Sequence, residues 1–188
     1  MLEKVNFKQS QISVETQLNE KWKLVWQLVN KIVEDRDLSQ FDLQLANLSE
    51  AHLQKANLSE ANLQGAILKE ANLQQANLWG AKLQGATFEK ANLEEVNFQE
   101  AYFDKQADLQ YSNLQKADLL EVTLEEANLQ GANLQEAHLK VANLQKANLQ
   151  GANLQHAYFR GARVQQANFQ EANLETAVFQ EADLRGAN

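Results

Sequence analysis

The chain has no cysteine and no proline, and only one methionine and seven glycines among its 188 residues. Without cysteine there is no disulfide and no thiolate nucleophile or thiolate metal ligand, and nothing calls for an oxidising compartment. Long apolar runs are missing too. No stretch of about 18 apolar residues occurs, and Glu3, Lys4 and Lys8 put charge where a signal peptide needs an apolar segment. A soluble, cytoplasmic protein with no membrane association is the expectation. Basic charge is also scarce, with 17 Lys and Arg against 25 Asp and Glu and a net charge of -8. Residues 1–37 hold six charges of each sign, so the imbalance belongs entirely to residues 38–188. A nucleic-acid partner needs a basic stripe to displace counterions, and none is present, so no nucleic-acid binding is expected.

What is abundant is Leu, Ala, Asn, Gln and Glu, in a strict order. From Leu38 an apolar residue recurs at every fifth position to Phe103, and after one inserted residue near 104–106 the series resumes at Leu109 and runs to Leu184, giving thirty positions. Two residues before most of them stands a small residue, chiefly alanine, and between the two stands Asn or Asp. A helix turning ~100° per residue would scatter such a series around its circumference. In a flat strand, five being odd, successive leucines would fall on opposite faces. The backbone must therefore turn a corner once per unit, so that each Leu and its Ala point to a common axis and the remaining positions face water. Core positions predicted on this basis include Leu58, Leu63, Leu68, Leu73, Leu129 and Leu134, with Ala56 and Ala61 beside them. The alanine column has a steric reason: a tight coil leaves room for one large side chain per side.

Runs such as Ala56-Asn57-Leu58-Ser59-Glu60-Ala61-Asn62-Leu63-Gln64-Gly65 resemble the pentapeptide-repeat family over about four-fifths of the chain. The resemblance implies an all-β solenoid, a right-handed quadrilateral β-helix with four units per coil. Thirty units would make about 7.5 coils and, at ~4.8 Å per coil, a rod of roughly 36 Å.

Residues 1–37 break the pattern. Val14, Leu18, Trp22, Val25, Trp26, Val29, Ile32 and Val33 fall within one arc at helical spacing, which predicts an amphipathic α-helix over about 14–34 with Ser13 as its N-cap. The expected role is an N-terminal α-helical cap, in which Leu18, Trp22, Val25, Trp26 and Val29 cover the open end of the first coil. The balanced charge of the segment argues against a membrane helix. The stretch from Glu20 to Leu38 is similar to the helical leader of cyanobacterial members of the family. Val5-Asn6-Phe7-Lys8-Gln9 reads as a stray unit ahead of the helix. The insertion near 104–106 is expected to be a corner bulge. The last residues, Arg185-Gly186-Ala187-Asn188, stop in mid-repeat, from which an end-to-end homodimer or a longer natural chain is expected.

Catalysis needs unlike groups converging in a cleft, whereas this pattern repeats like groups along a rod. His52, His138 and His156 fall at outward positions in different coils and do not predict a metal site. No cofactor is implied, and no enzyme. Counting every fourth unit as one side places outward Trp79, Leu120, Val141, Tyr158 and Val178 together, a candidate surface for a protein partner. A non-enzymatic interaction scaffold is the reading these features favour. The alternative comes from the resemblance, since some family members imitate duplex DNA and act on type II topoisomerases such as gyrase. A 36 Å rod imitating DNA would need roughly 21 negative charges, against the net -8 here.

Overall fold

A computed structural model describes residues 3–9, 18–31, 35–105 and 107–188. Within a five-residue unit that carries Asn or Asp, such as the one around Leu58, every amide finds a partner, which is the physical reason the unit repeats. Leu58 donates to the carbonyl of Asn77 at 2.7 Å, Glu60 to Trp79 at 2.8 Å, and Asn57 to Arg36 at 2.9 Å, so three amides join coils. A fourth closes the corner, Ala61 donating to Leu58 at 3.0 Å. The fifth, of Ser59, donates to the side-chain Oδ1 of Asn57 at 3.2 Å. The Asn or Asp before each Leu is therefore an acceptor built into the turn.

Parallel rungs join residues twenty apart, as in Asp37–Asn57–Asn77–Asn97, so four units make a coil and the rod has four sides. Taking Arg36 as the start of coil one, coil four (96–116) has 21 residues, and the rungs that cross it, such as Thr87–Asp108 and Asn97–Asp118, step by 21. Side one carries the ladder from Asp37 through Asp118 to Val178, side two that from Asp42 to Asp183. Side three runs from Asn47 to Asn168 and side four from His52 to Asn173. The interior is dry: Leu58, Leu63, Leu68, Leu73, Leu129 and Leu134 are fully buried, as are Ala56 and Ala61. Phe88, Phe98 and Phe103 pack together at centroid distances of 5.3–6.2 Å beside the 21-residue coil.

The residue ending each unit has positive φ, for example Glu60 at 56° and Val141 at 59°. This is the left-handed third position of a type II-like turn, where glycine is least strained. Glycine takes it at Gly65, where an added Cβ would also come within 2.7 Å of Leu45.

Ahead of the coils lies α1, Glu20–Asn30. It is shorter at both ends than the helix of about 14–34 expected from the apolar arc. Asn19, extended at φ -70° and ψ 167°, is its N-cap and accepts from the amide of Trp22 at 3.1 Å, and Lys31 is already extended at φ -130° and ψ 138°. Ser13, Val14, Ile32 and Val33 lie outside the described residues. Trp22, Val25, Leu28 and Val29 are buried, and Leu18, Leu24 and Trp26 pack partly buried against the core. The Leu28 carbonyl accepts from the amide of His52 at 3.1 Å. In the following coil the equivalent amide, Asn72, donates instead to Ala51 of coil one. Residues 5–9 have the features of a repeat unit. Phe7 is buried, Asn6 accepts from the Lys8 amide at 2.8 Å, and Gln9 has φ 59°. Asn30 ties this unit down, accepting from the Gln9 amide at 2.7 Å and donating to the Phe7 carbonyl at 2.8 Å.

Candidate docking face

The outward Asn or Asp is worth two kinds of hydrogen bond, so the places that give it up are informative. Besides holding its own turn, it links coils: on side four Asn92 donates to Asn72, Asn113 to Asn92, Asn133 to Asn113 and Asn153 to Asn133, at 3.0–3.1 Å. On side four this amide ladder is uninterrupted from Asn72 to Asn153. Departures are most numerous on side one, at His138, Tyr158 and Val178, and on side two, at Lys82, Tyr102, Thr123 and Arg163; side three has Ile67 and Thr87, and side four has His52 in its first coil. At these units the amide two residues later loses its acceptor. Among the described residues the amides of Lys140 and Arg160 therefore have no hydrogen-bond partner, whereas the preceding unit on the same side keeps its bond from Leu120 to Asp118.

The five residues grouped from sequence, Trp79, Leu120, Val141, Tyr158 and Val178, all belong to units of side one, because Asn77, Asp118, His138, Tyr158 and Val178 are rungs of one ladder. Trp79, Val141, Tyr158 and Val178 are exposed, at 36%, 47%, 46% and 39%, while Leu120 is half-buried. Val141 holds a left-handed backbone at φ 59°, which a β-branched residue tolerates poorly. The fold gives no reason for valine there. A groove of about 370 Å³ runs between the two outward columns of side one, lined by Asp118, Leu120, His138, Lys140, Tyr158 and Arg160. The His138 imidazole meets the Tyr158 ring edge-on at 5.4 Å.

Charge is ordered along this side. Glu100, Asp118 and Glu121 stand in coils four and five, and His138, Lys140 and Arg160 in coils six and seven. Among the described residues Glu100, Glu121 and Lys140 form no ion pair, while Arg160 pairs with exposed Glu181 at 3.2 Å. The basic cluster escaped sequence reasoning because its members are twenty residues apart. The signal that could have found it is the same every-fourth-unit count, applied to charge.

The inserted residue does more than bulge. Among the described residues side two has no rung between Tyr102 and Thr123, though the rungs Lys82–Tyr102 and Thr123–Asn143 flank the gap. A cleft of about 370 Å³ opens there, lined by Glu100, Ala101, Tyr102, Phe103, Glu121 and Thr123. The histidines do not converge, His52 and His156 being on side four and His138 on side one, and no cluster of three metal-ligating side chains occurs among the described residues. Nor is any helix among them long and apolar enough to cross a membrane. At the C-terminal end of the rod Leu174 and Leu184 are exposed, and Phe179 stacks on Phe159 at 4.6 Å.

A four-sided β-helix whose walls are amide ladders, varied most on two sides, defines a repeat scaffold. The family model for pentapeptide repeats matches in eight copies spanning residues 37–188, and the chain belongs to that family. The fold is the right-handed quadrilateral β-helix. A trypsin-treated form of QnrB1, a plasmid-mediated fluoroquinolone resistance protein, superposes with a TM-score of 0.72 at 22% identity, covering 82% of this chain and 78% of that one. A second trypsin-treated QnrB1 structure gives 0.57 at the same identity and coverage. HetL, a pentapeptide repeat protein involved in heterocyst differentiation regulation in the cyanobacterium Nostoc sp. strain PCC 7120, is 29% identical over 82% of this chain and 85% of that one, with a TM-score of 0.33. A search of the curated proteins finds none that matches.

Proposed function

We propose that the protein is a non-enzymatic scaffold that docks a protein partner on side one. The observation that carries this reading is the run of rungs His138, Tyr158 and Val178, where three successive coils give up the asparagine that stabilises the wall. Strained Val141 and the groove beside Tyr158 add to it. In this reading α1 and residues 5–9 close the end of the first coil, supported by the bond from His52 to Leu28 and by burial of Trp22, Val25 and Val29. The test is binding by a variant carrying Trp79→Ser and Tyr158→Ser, beside a control carrying Gln115→Ser and Gln135→Ser on side four. Loss of binding in the first alone supports the reading. Equal binding by both, with both folded, overturns it.

A second reading is action on a type II topoisomerase as a DNA mimic, favoured by the fold shared with QnrB1, a fluoroquinolone resistance protein. The net charge of -8 is well short of the roughly 21 negatives that duplex DNA of this length carries. The basic cluster on side one weakens the imitation further. A gyrase supercoiling assay separates the two readings, since inhibition or drug protection by the purified protein would favour the mimic.

A further inference from the structure

We infer that side one is self-complementary and pairs with side one of a second copy of this chain, the two rods running antiparallel. The inference rests on the docking reading above and names its partner.

Side one is ordered along the rod. From coil three to coil eight, side one presents Trp79, then the carboxylates Glu100, Asp118 and Glu121, then His138, Lys140 and Arg160, then Val178 and Glu181, the last paired with Arg160 within the chain at 3.2 Å. Apolar groups stand at both ends, with acid above the middle and base below it. Consider a two-fold axis lying along the strand direction between coils five and six. It sets coil five against coil six, coil four against coil seven, and coil three against coil eight, while keeping each outward column opposite itself. Asp118 then faces the second copy's His138. Glu121 comes to Lys140 in the neighbouring column, Glu100 to Arg160, and Trp79 to Val178. Each contact occurs twice, as an isologous interface requires.

No like charges face each other in this register. A parallel pairing, coil on coil, would set Glu100 and Glu121 against their own copies. Glu121 and Glu100 also meet the amides of Lys140 and Arg160, which lost their acceptor when His138 and Tyr158 replaced asparagine, so each of these two anions finds a cation and a free backbone donor together. Leu120, half-buried, lies beside the axis against the second copy's Lys140 stem.

The area is small. Six coils at ~4.8 Å and a side of four residues at ~3.3 Å give a strip of roughly 29 by 13 Å, below the ~800 Å² per partner of a stable complex. Association is therefore weak and salt-sensitive, and belongs to concentrations of tens of micromolar and above.

Sedimentation equilibrium of the full chain from about 10 μM to 1 mM, at low and high salt, tests this. The expected result is a dimer whose dissociation constant rises at least ~10-fold in high salt. The variant carrying Lys140→Glu and Arg160→Glu should be monomeric, and so should the variant carrying Glu100→Lys and Glu121→Lys. Mixed, they should form a one-to-one heterodimer, because every contact in the mixture unites opposite charges. That rescue cannot come from misfolding. A wild type monomeric at 1 mM in low salt overturns the inference, as does a dimer that survives both charge reversals, whether or not Leu174→Glu near the C-terminal end then abolishes it. In either case the docking reading is judged separately, by whether Trp79→Ser and Tyr158→Ser still abolish binding of another protein.

Discussion

Asn113→Ala on side four should destabilise the rod, and the size of the effect follows from three bonds. Asn113 Nδ2 donates to Asn92 at 3.1 Å, and its Oδ1 accepts from Asn133 at 3.0 Å and from the Gln115 amide at 3.3 Å. A protein hydrogen bond contributes a net ~0.5–1.5 kcal/mol. The side chain is half-buried, so the lower half of that range applies, and the three together are worth about 1.5–3 kcal/mol. For a chain of this size each kcal/mol moves Tm by about 2–4 °C, which puts the expected drop at roughly 3–12 °C. Asn113→Asp keeps both acceptor roles and loses only the donor, so its drop should be no more than about half that of Ala. His138→Asn on side one should act in the opposite direction, restoring an acceptor for the Lys140 amide and a donor toward Asp118, and stabilise by about 0.5–1 kcal/mol. Urea unfolding monitored by circular dichroism measures all three. An Asn113→Ala variant within about 0.3 kcal/mol of wild type, or an Asp variant as damaged as the Ala one, would refute the role given to this residue.

Val141→Gly should stabilise by about 0.5–1.5 kcal/mol, because a β-branched residue is released from a left-handed backbone, and should weaken binding on side one; thermal unfolding and a binding assay measure the two. Leu68→Ala, at a fully buried position, should cost about 2–5 kcal/mol, seen as a lower urea midpoint. Glu89 is held below its ordinary 4.5 chiefly by the hydrogen bond from Lys69. A carboxyl with a lowered folded value contributes above its unfolded pKa and loses that contribution as pH falls through the folded value. Stability should therefore fall below about pH 4.5, and Lys69→Met should flatten that part of the profile; an unchanged slope would contradict it.

The coil was legible in the sequence because a five-residue period is incompatible with a helix face and with a flat strand. Leu58, Leu63, Leu68 and Leu73 follow from that alone. The number of sides did not follow from the period; it came with the family resemblance. The role of asparagine was hidden, since facing outward says nothing about the amide two residues on. In the N-terminal segment the apolar arc identified Trp22, Val25 and Val29 but missed Leu28, because α1 buries a broader face than one stripe. Asn19 immediately before Glu20 was a capping signal as good as Ser13, and it caps the described helix. Lys140 and Arg160 are remote in sequence and become neighbours only through a 20-residue coil.

Because the chain has no cysteine, a single introduced pair reports its geometry without interference. Leu120→Cys with Lys140→Cys places two thiols on adjacent rungs of side one, ~4.8 Å apart along the rod and within the 4.4–6.8 Å Cα separation that a disulfide accepts. Mild oxidation should link them within one chain rapidly and in high yield. The pair Leu120→Cys with Gln130→Cys, closer in sequence but two corners away, should not link. Cross-linking of the second pair and not the first would mean that the backbone does not turn at every fifth residue, and neither the coil nor its docking face would stand.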